Sequence, residues 1–111
     1  MTLDRAKLIY KRDYWDSVKG DVLPAKLNTI VFDAAVNQGV DAAIKMLQKA
    51  VGVAQDGILG RDTLLAVTTK SGRDLCCKLL TERAMRYIGT RGFDNYGRNW
   101  FRRLFVVAME L

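Results

Sequence analysis

Between Phe32 and Val67 the chain reads FDAAVNQGVDAAIKMLQKAVGVAQDGILGRDTLLAV, apolar helical runs around a segment punctuated by Gly52, Gly57 and Gly60. Val40, Ala43, Ile44, Leu47 and Val51 recur at helical spacing on one face, while Lys45, Gln48 and Lys49 face elsewhere. The incoming run must stop at Gly39, because glycine tolerates the left-handed turn that closes a helix, and Asp41 is placed to cap the next one. The stretch predicts helix, tight turn, helix, glycine loop, helix, with the rest of the chain packed around it.

Several chemistries are excluded before any motif is considered. The chain contains no histidine, which removes the commonest general base and the commonest metal ligand. A zinc site would need the two cysteines plus carboxylates, so no metal is expected. Cys76 and Cys77 are helix neighbours pointing in different directions, a poor geometry for a bridge, and are read as reduced, partly buried thiols. No apolar run reaches the roughly 18 residues of a membrane span. The first residues, MTLDRAKLIYKRDYW, are too charged for a secretory signal, so the chain is expected to be made in the cytoplasm without one.

The net charge of +6 is uneven: residues 1–69 carry nine Lys/Arg against eight Asp, residues 70–111 nine against four acidic side chains. A basic C-terminal half attracts polyanions such as nucleic acid, anionic lipid or an anionic envelope polymer; the plainer reading is a solubilising surface.

Read in order, Thr2 to Trp15 forms a first helix with Thr2 as cap and Leu3, Ala6, Leu8, Ile9 and Tyr10 as its apolar positions. It ends on Tyr14 and Trp15, either a sugar-stacking platform or core residues. Pro24 opens a second helix, Ala25 to Gln38, apolar nearly all round and therefore central. Asp33 and Asn37 lie one turn apart on it, either the wall of a ligand cleft or a clamp on a neighbouring segment. In the following loop Asp56-Gly57 marks a turn, Ile58 and Leu59 plug the core, and Asp62 or Thr63 caps a fourth helix, Thr63 to Lys70. After a break at Ser71-Gly72, a fifth helix from Arg73 to Thr90 puts Cys76, Leu80, Ala84, Tyr87 and Ile88 on the core side and Arg73, Arg83 and Arg86 on other faces. The sixth, Tyr96 to Leu111, carries a stripe of Trp100, Leu104, Val107, Ala108 and Leu111 with Arg98, Arg102 and Arg103 crowding its first turns. Such a basic amphipathic helix either rests on a membrane surface or packs with a solvated face. Nothing reads as a strand. The fold class is all-α, a compact bundle of about six helices: one domain over residues 1–111, with a core at 32–70 and basic helices at 73–111.

These motifs carry a resemblance. IYKRDYW at residues 9–15, Gly20-Asp21, Leu23-Pro24 and FDAAVNQG at 32–39 resemble the YxxxYW and FDxAVNxG signatures of the phage and bacterial N-acetylmuramidases, glycoside hydrolase family 108, whose bacterial members were often labelled secretion activators. Leu47-Gln48, Asp56-Gly57, Gly60 and Thr63 are similar to that family's peptidoglycan-binding pattern, and Gly97 to Arg103 to its closing segment. The resemblance implies a lysozyme-like fold and peptidoglycan glycan as partner. It also implies action at the cell wall or periplasm, with export that is holin-dependent or otherwise not by a signal of its own; no cofactor is expected. It places peptidoglycan contacts at Tyr14, Trp15, Asp33, Asn37, Asp56, Gly57 and Thr63.

The family's catalytic glutamate precedes the YxxxYW helix. Here the glutamates are Glu82 and Glu110, neither at the motif position, so no catalytic residue is assigned. Glycoside hydrolysis needs a carboxylic acid of raised pKa beside the scissile oxygen. The leading expectation is a peptidoglycan-binding portion, inactive alone, that pairs with itself or with a separately encoded catalytic chain across apolar surface left uncovered. The alternatives are an active muramidase using Asp33 or Glu82, and a nucleic-acid module built on the tight turn at Gly39. The helix after that turn offers no arginine to a guanine, so no nucleic acid is expected.

Overall fold

The computed structural model describes residues 11–70 and 72–111. Among them, residues 11–17 are helical (α1), followed by α2 (Leu27–Gln38), α3 (Val40–Val51), α4 (Arg61–Thr68), α5 (Gly72–Ile88) and α6 (Phe93–Met109). The protein is all-α, with no strand among the described residues. The expected cap Thr2, the apolar positions Leu3 to Tyr10 and the break residue Ser71 lie outside them.

Helix α2 packs against α3, α5 and α6, while α5 touches α2, α3 and α6. The core between them is Leu27, Ile30, Val31, Ala34 and Ala35 of α2, Ala43 and Leu47 of α3, and Leu75 and Leu79 of α5, with Val18 and Leu23 closing it from the first turn. Gly39 alone joins α2 to α3: at φ 98° it closes one helix with its N–H on the Ala35 carbonyl and opens the next. A residue with a Cβ would be strained there.

Helix boundaries depart from the sequence reading where backbone, rather than side chain, sets the end. Helix α2 starts at Leu27, because Lys26 sits at φ 72° and cannot be helical. Its surface is not apolar all round toward the core either, since Val36 is exposed and Phe32 half-buried. Asp41 does not cap α3 but pairs with Lys45 one turn on, at 3.0 Å. Helix α4 begins at Arg61 behind Gly60, so neither Asp62 nor Thr63 is its cap. Ile58 points out, 68% exposed, and Leu59 alone enters the core. Helix α6 starts three residues early, directly after Gly92 at φ 91°. On α5, Ile88 is half exposed and Arg83, expected on another face, is wholly buried. Ala108 of the expected α6 stripe is exposed, and Cys77 is exposed while Cys76 is buried.

Candidate functional site

A shallow groove of about 420 Å³ is lined by Lys11, Arg12 and Trp15 of α1, Asp21 of the following turn and Phe32 of α2. Trp15 meets Phe32 edge to face, ring centres 5.5 Å apart, and its indole N–H donates to Asp21 at 2.8 Å. Asp21 also accepts from Arg12 at 3.0 Å, and Arg12 reaches back to Asp16 at 3.1 Å. The indole N–H, with Arg12 beside it, holds the Asp21 carboxyl below the usual carboxylate range. Gly20 lies against the indole: a Cβ there would stand 2.2 Å from Trp15 Cε2, so only glycine lets the ring settle. The turn residues Gly20 and Asp21 therefore fix one aromatic side chain from two directions. Tyr14, half-buried, packs against the core beside it.

On the other flank of α2, Asp33 receives two guanidinium groups. Arg83 Nη2 lies 2.9 Å from one oxygen and Arg103 Nη2 2.8 Å from the other. Arg83 also donates through Nε to Gln38 at 3.0 Å and through Nη2 to the Tyr87 hydroxyl at 3.2 Å, and the Asn37 amide donates to that same hydroxyl. The Tyr87 ring stacks on Trp100 at 5.3 Å. Asp33 and Asn37 thus tie α2 to α5 and α6. The exposed side of this lattice opens into a pocket of about 260 Å³ between Asn37, Gln38, Arg86, Tyr87, Thr90 and Trp100.

Asp56, Gly57 and Thr63 converge elsewhere, on Gln48. The Gln48 amide nitrogen donates to Asp56 Oδ1 (2.8 Å), the Ile58 carbonyl (3.0 Å) and Thr63 Oγ1 (3.2 Å), and its oxygen accepts from Gly57 N–H (3.0 Å). Helical spacing puts Gln48 off the apolar face of α3, yet it is 1% exposed. A buried amide that meets a loop's donors and acceptors replaces water for that loop. Asp56 accepts from Ile58 N–H and from Gln48, which hold its carboxyl below the ordinary value. Thr63 is 3% exposed, and a Cβ on Gly57, already at φ 77°, would meet Asp41 Oδ1 at 2.5 Å. These residues hold the α3–α4 loop in shape.

The seven sequence-derived residues therefore fall into three places: Tyr14 and Trp15 by the groove, Asp33 and Asn37 in the interhelical lattice, and Asp56, Gly57 and Thr63 around Gln48. Sequence reasoning missed Phe32, Arg83, Arg103, Tyr87 and Gln48 as partners. Arg83 and Arg103 stand 50 and 70 residues from Asp33, beyond any local pattern. Of the carboxylates proposed as alternative acids, Asp33 has both oxygens taken, and Glu82 is paired with Lys49 at 3.1 Å, tying α5 to α3.

The glycosyl hydrolase 108 model matches residues 1–39, the segment that holds Trp15, Gly20, Asp21, Phe32, Asp33 and Asn37. The solved structure of Brucella abortus SagA superposes with a TM-score of 0.92 at 36% sequence identity, over 99% of this chain. The chain spans 63% of the length of SagA. A search of curated proteins gives no match. The chain is thus similar to the glycosyl hydrolase 108 family over its first 39 residues and to SagA in fold over nearly all of its length.

Proposed function

We propose that the chain recognises peptidoglycan glycan as part of a muramidase-type protein, with the acid of the reaction supplied from outside these 111 residues. The observation that carries this reading is the groove in the family-matched segment, where Trp15 and Phe32 form an aromatic wall beside the ion pair of Arg12 and Asp21. An aromatic ring with an apolar face and polar neighbours suits a sugar, whose ring hydrogens pack on the π surface while its hydroxyls seek charged partners. Asn37 and the adjoining pocket at Trp100 offer further hydrogen-bonding positions.

Asp21 is the carboxylate in the groove, and its environment is wrong for a general acid. Such a group needs its proton retained near neutrality, whereas the Trp15 and Arg12 donors favour the ionised form. It suits a sugar hydroxyl as acceptor instead.

Sedimentation of the protein with purified peptidoglycan tests the reading, with a basic protein of similar charge as control. Retention above the control that falls in Trp15→Ala supports it; retention equal to the control overturns it. Turbidity loss on permeabilised Gram-negative cells, abolished in Glu82→Gln or Asp33→Asn, would instead favour an enzyme working through its own carboxylates.

A further inference from the structure

Helices α5 and α6 meet along an outer seam that no other element among the described residues covers. A depression of about 590 Å³ begins at Lys26 and Arg73 and runs over Cys76, Leu80, Ala108 and Leu111. It adjoins, at Leu80 and Ala108, a second of about 270 Å³ lined by Ala84, Leu104 and Phe105. The lining is more apolar than polar in both, most clearly in the second. At its edge Phe105 is 62% exposed, and Met109, which follows the lining residue Ala108 in the chain, is 89% exposed. Monomeric soluble proteins rarely leave such continuous apolar surface uncovered without use.

The charges around it choose the occupant. On α6, Arg98, Arg102, Phe105 and Met109 follow at helical spacing, so one exposed row is cationic at its start and apolar at its end. Lys26 and Arg73 hold the opposite end of the seam. All four cations are exposed, and among the described residues none is paired with a carboxylate. Pairing two copies through this seam would set cations against cations at both ends in either orientation. An apolar strip with cations at both ends fits a layer that is apolar within and anionic at its surface.

We propose that the α5–α6 seam docks the protein onto a bilayer carrying anionic lipid, with Phe105 and Met109 entering the acyl boundary and Arg98, Arg102, Lys26 and Arg73 meeting headgroup phosphates. No helix among the described residues is long and apolar enough to cross a membrane, so the contact is one of lying on the surface. This does not depend on the glycan reading, because the Trp15 groove is built from α1 and α2 and the seam from α5 and α6.

Vesicle co-sedimentation of the full chain tests it, with phosphatidylglycerol/phosphatidylcholine vesicles against phosphatidylcholine alone. The expected result is partition onto the anionic vesicles that falls with added salt, falls about fivefold for each of Arg98→Gln and Arg102→Gln, and falls in Phe105→Ser and Met109→Ser. Trp15→Ala should leave it unchanged. These side chains are exposed, and unchanged circular dichroism and melting temperature of the variants confirm that the fold is intact. Equal partition onto neutral vesicles, no partition at all, or partition indifferent to all four substitutions overturns the proposal. So does a dimer in gel filtration that Phe105→Ser dissociates, because the seam would then be occupied by a second copy.

Discussion

Asp33 on α2 and Arg83 on α5 stand 2.9 Å apart, and the arginine is completely buried while the aspartate keeps 17% of its side chain in contact with solvent. The pair brings a formal charge into the helical core. The second guanidinium, Arg103, approaches from α6 at 2.8 Å and is 46% exposed. The buried partner therefore carries the structural weight, since a buried charge without its counterion is costly while an exposed one is largely solvated.

Removing the acceptor should be worse than trimming the outer donor. Asp33→Ala is expected to destabilise the protein by about 3–5 kcal/mol, because it strands Arg83 without its anion. Arg103→Ala should cost below about 1 kcal/mol, in line with an exposed partner. Thermal or urea denaturation of the two variants measures the difference; equal losses would show that Arg83 does not depend on Asp33. Arg83 Nη1 already lacks an acceptor among the described residues, so the pocket has no spare group to take over.

Gln48 is expected to govern the α3–α4 loop. Gln48→Leu keeps the volume but leaves Gly57 N–H and Thr63 without the amide, a loss of about 1–3 kcal/mol for buried polar groups left unmade. Amide hydrogen exchange should report it locally, with faster exchange at Gly57 and Ile58 and no change in α5. Uniform acceleration across the protein would mean that the loop is not a separate unit.

Both lowered carboxylates make stability rise with pH in the acid range. For Asp21 and Asp56 the folded form holds its proton less tightly than the unfolded chain, whose aspartates titrate near about 3.9. Their contribution is fully present above that value and is lost as pH falls through the lower folded value. The difference in melting temperature between the protein and Asp56→Ala should therefore narrow as pH is taken below about 4. A difference that stays constant from neutral to strongly acidic solution would show that the Asp56 charge is not used.

Gly20→Ala should disturb the groove more than the fold. The added Cβ displaces the Trp15 ring, at a cost of about 1–3 kcal/mol for overpacking, and breaks the indole bond to Asp21. The measurements are tryptophan fluorescence, expected to shift, and retention on peptidoglycan, expected to fall as in Trp15→Ala. Unaltered fluorescence would mean that the ring is free to move without penalty.

The amino-acid sequence by itself determined the class of fold, the turn at Gly39, the apolar face of α3 and the motifs by which residues 1–39 match the glycosyl hydrolase 108 model, because periodicity and glycine chemistry act over a few residues. It also brought out Asp33 and Asn37 as polar side chains that a buried helix must satisfy. What satisfies them was decided only by the tertiary structure. By spacing alone Arg83 is one more surface arginine on a basic helix, and Gln48 one more polar residue beside two lysines. Each is buried because a group distant in sequence waits for it: a carboxylate 50 residues away for Arg83, and a loop carbonyl, a hydroxyl and an amide for Gln48. Helical spacing gives the direction of a side chain, but the identity of its partner depends on which helices lie against one another, and that is fixed by the packing of the whole core.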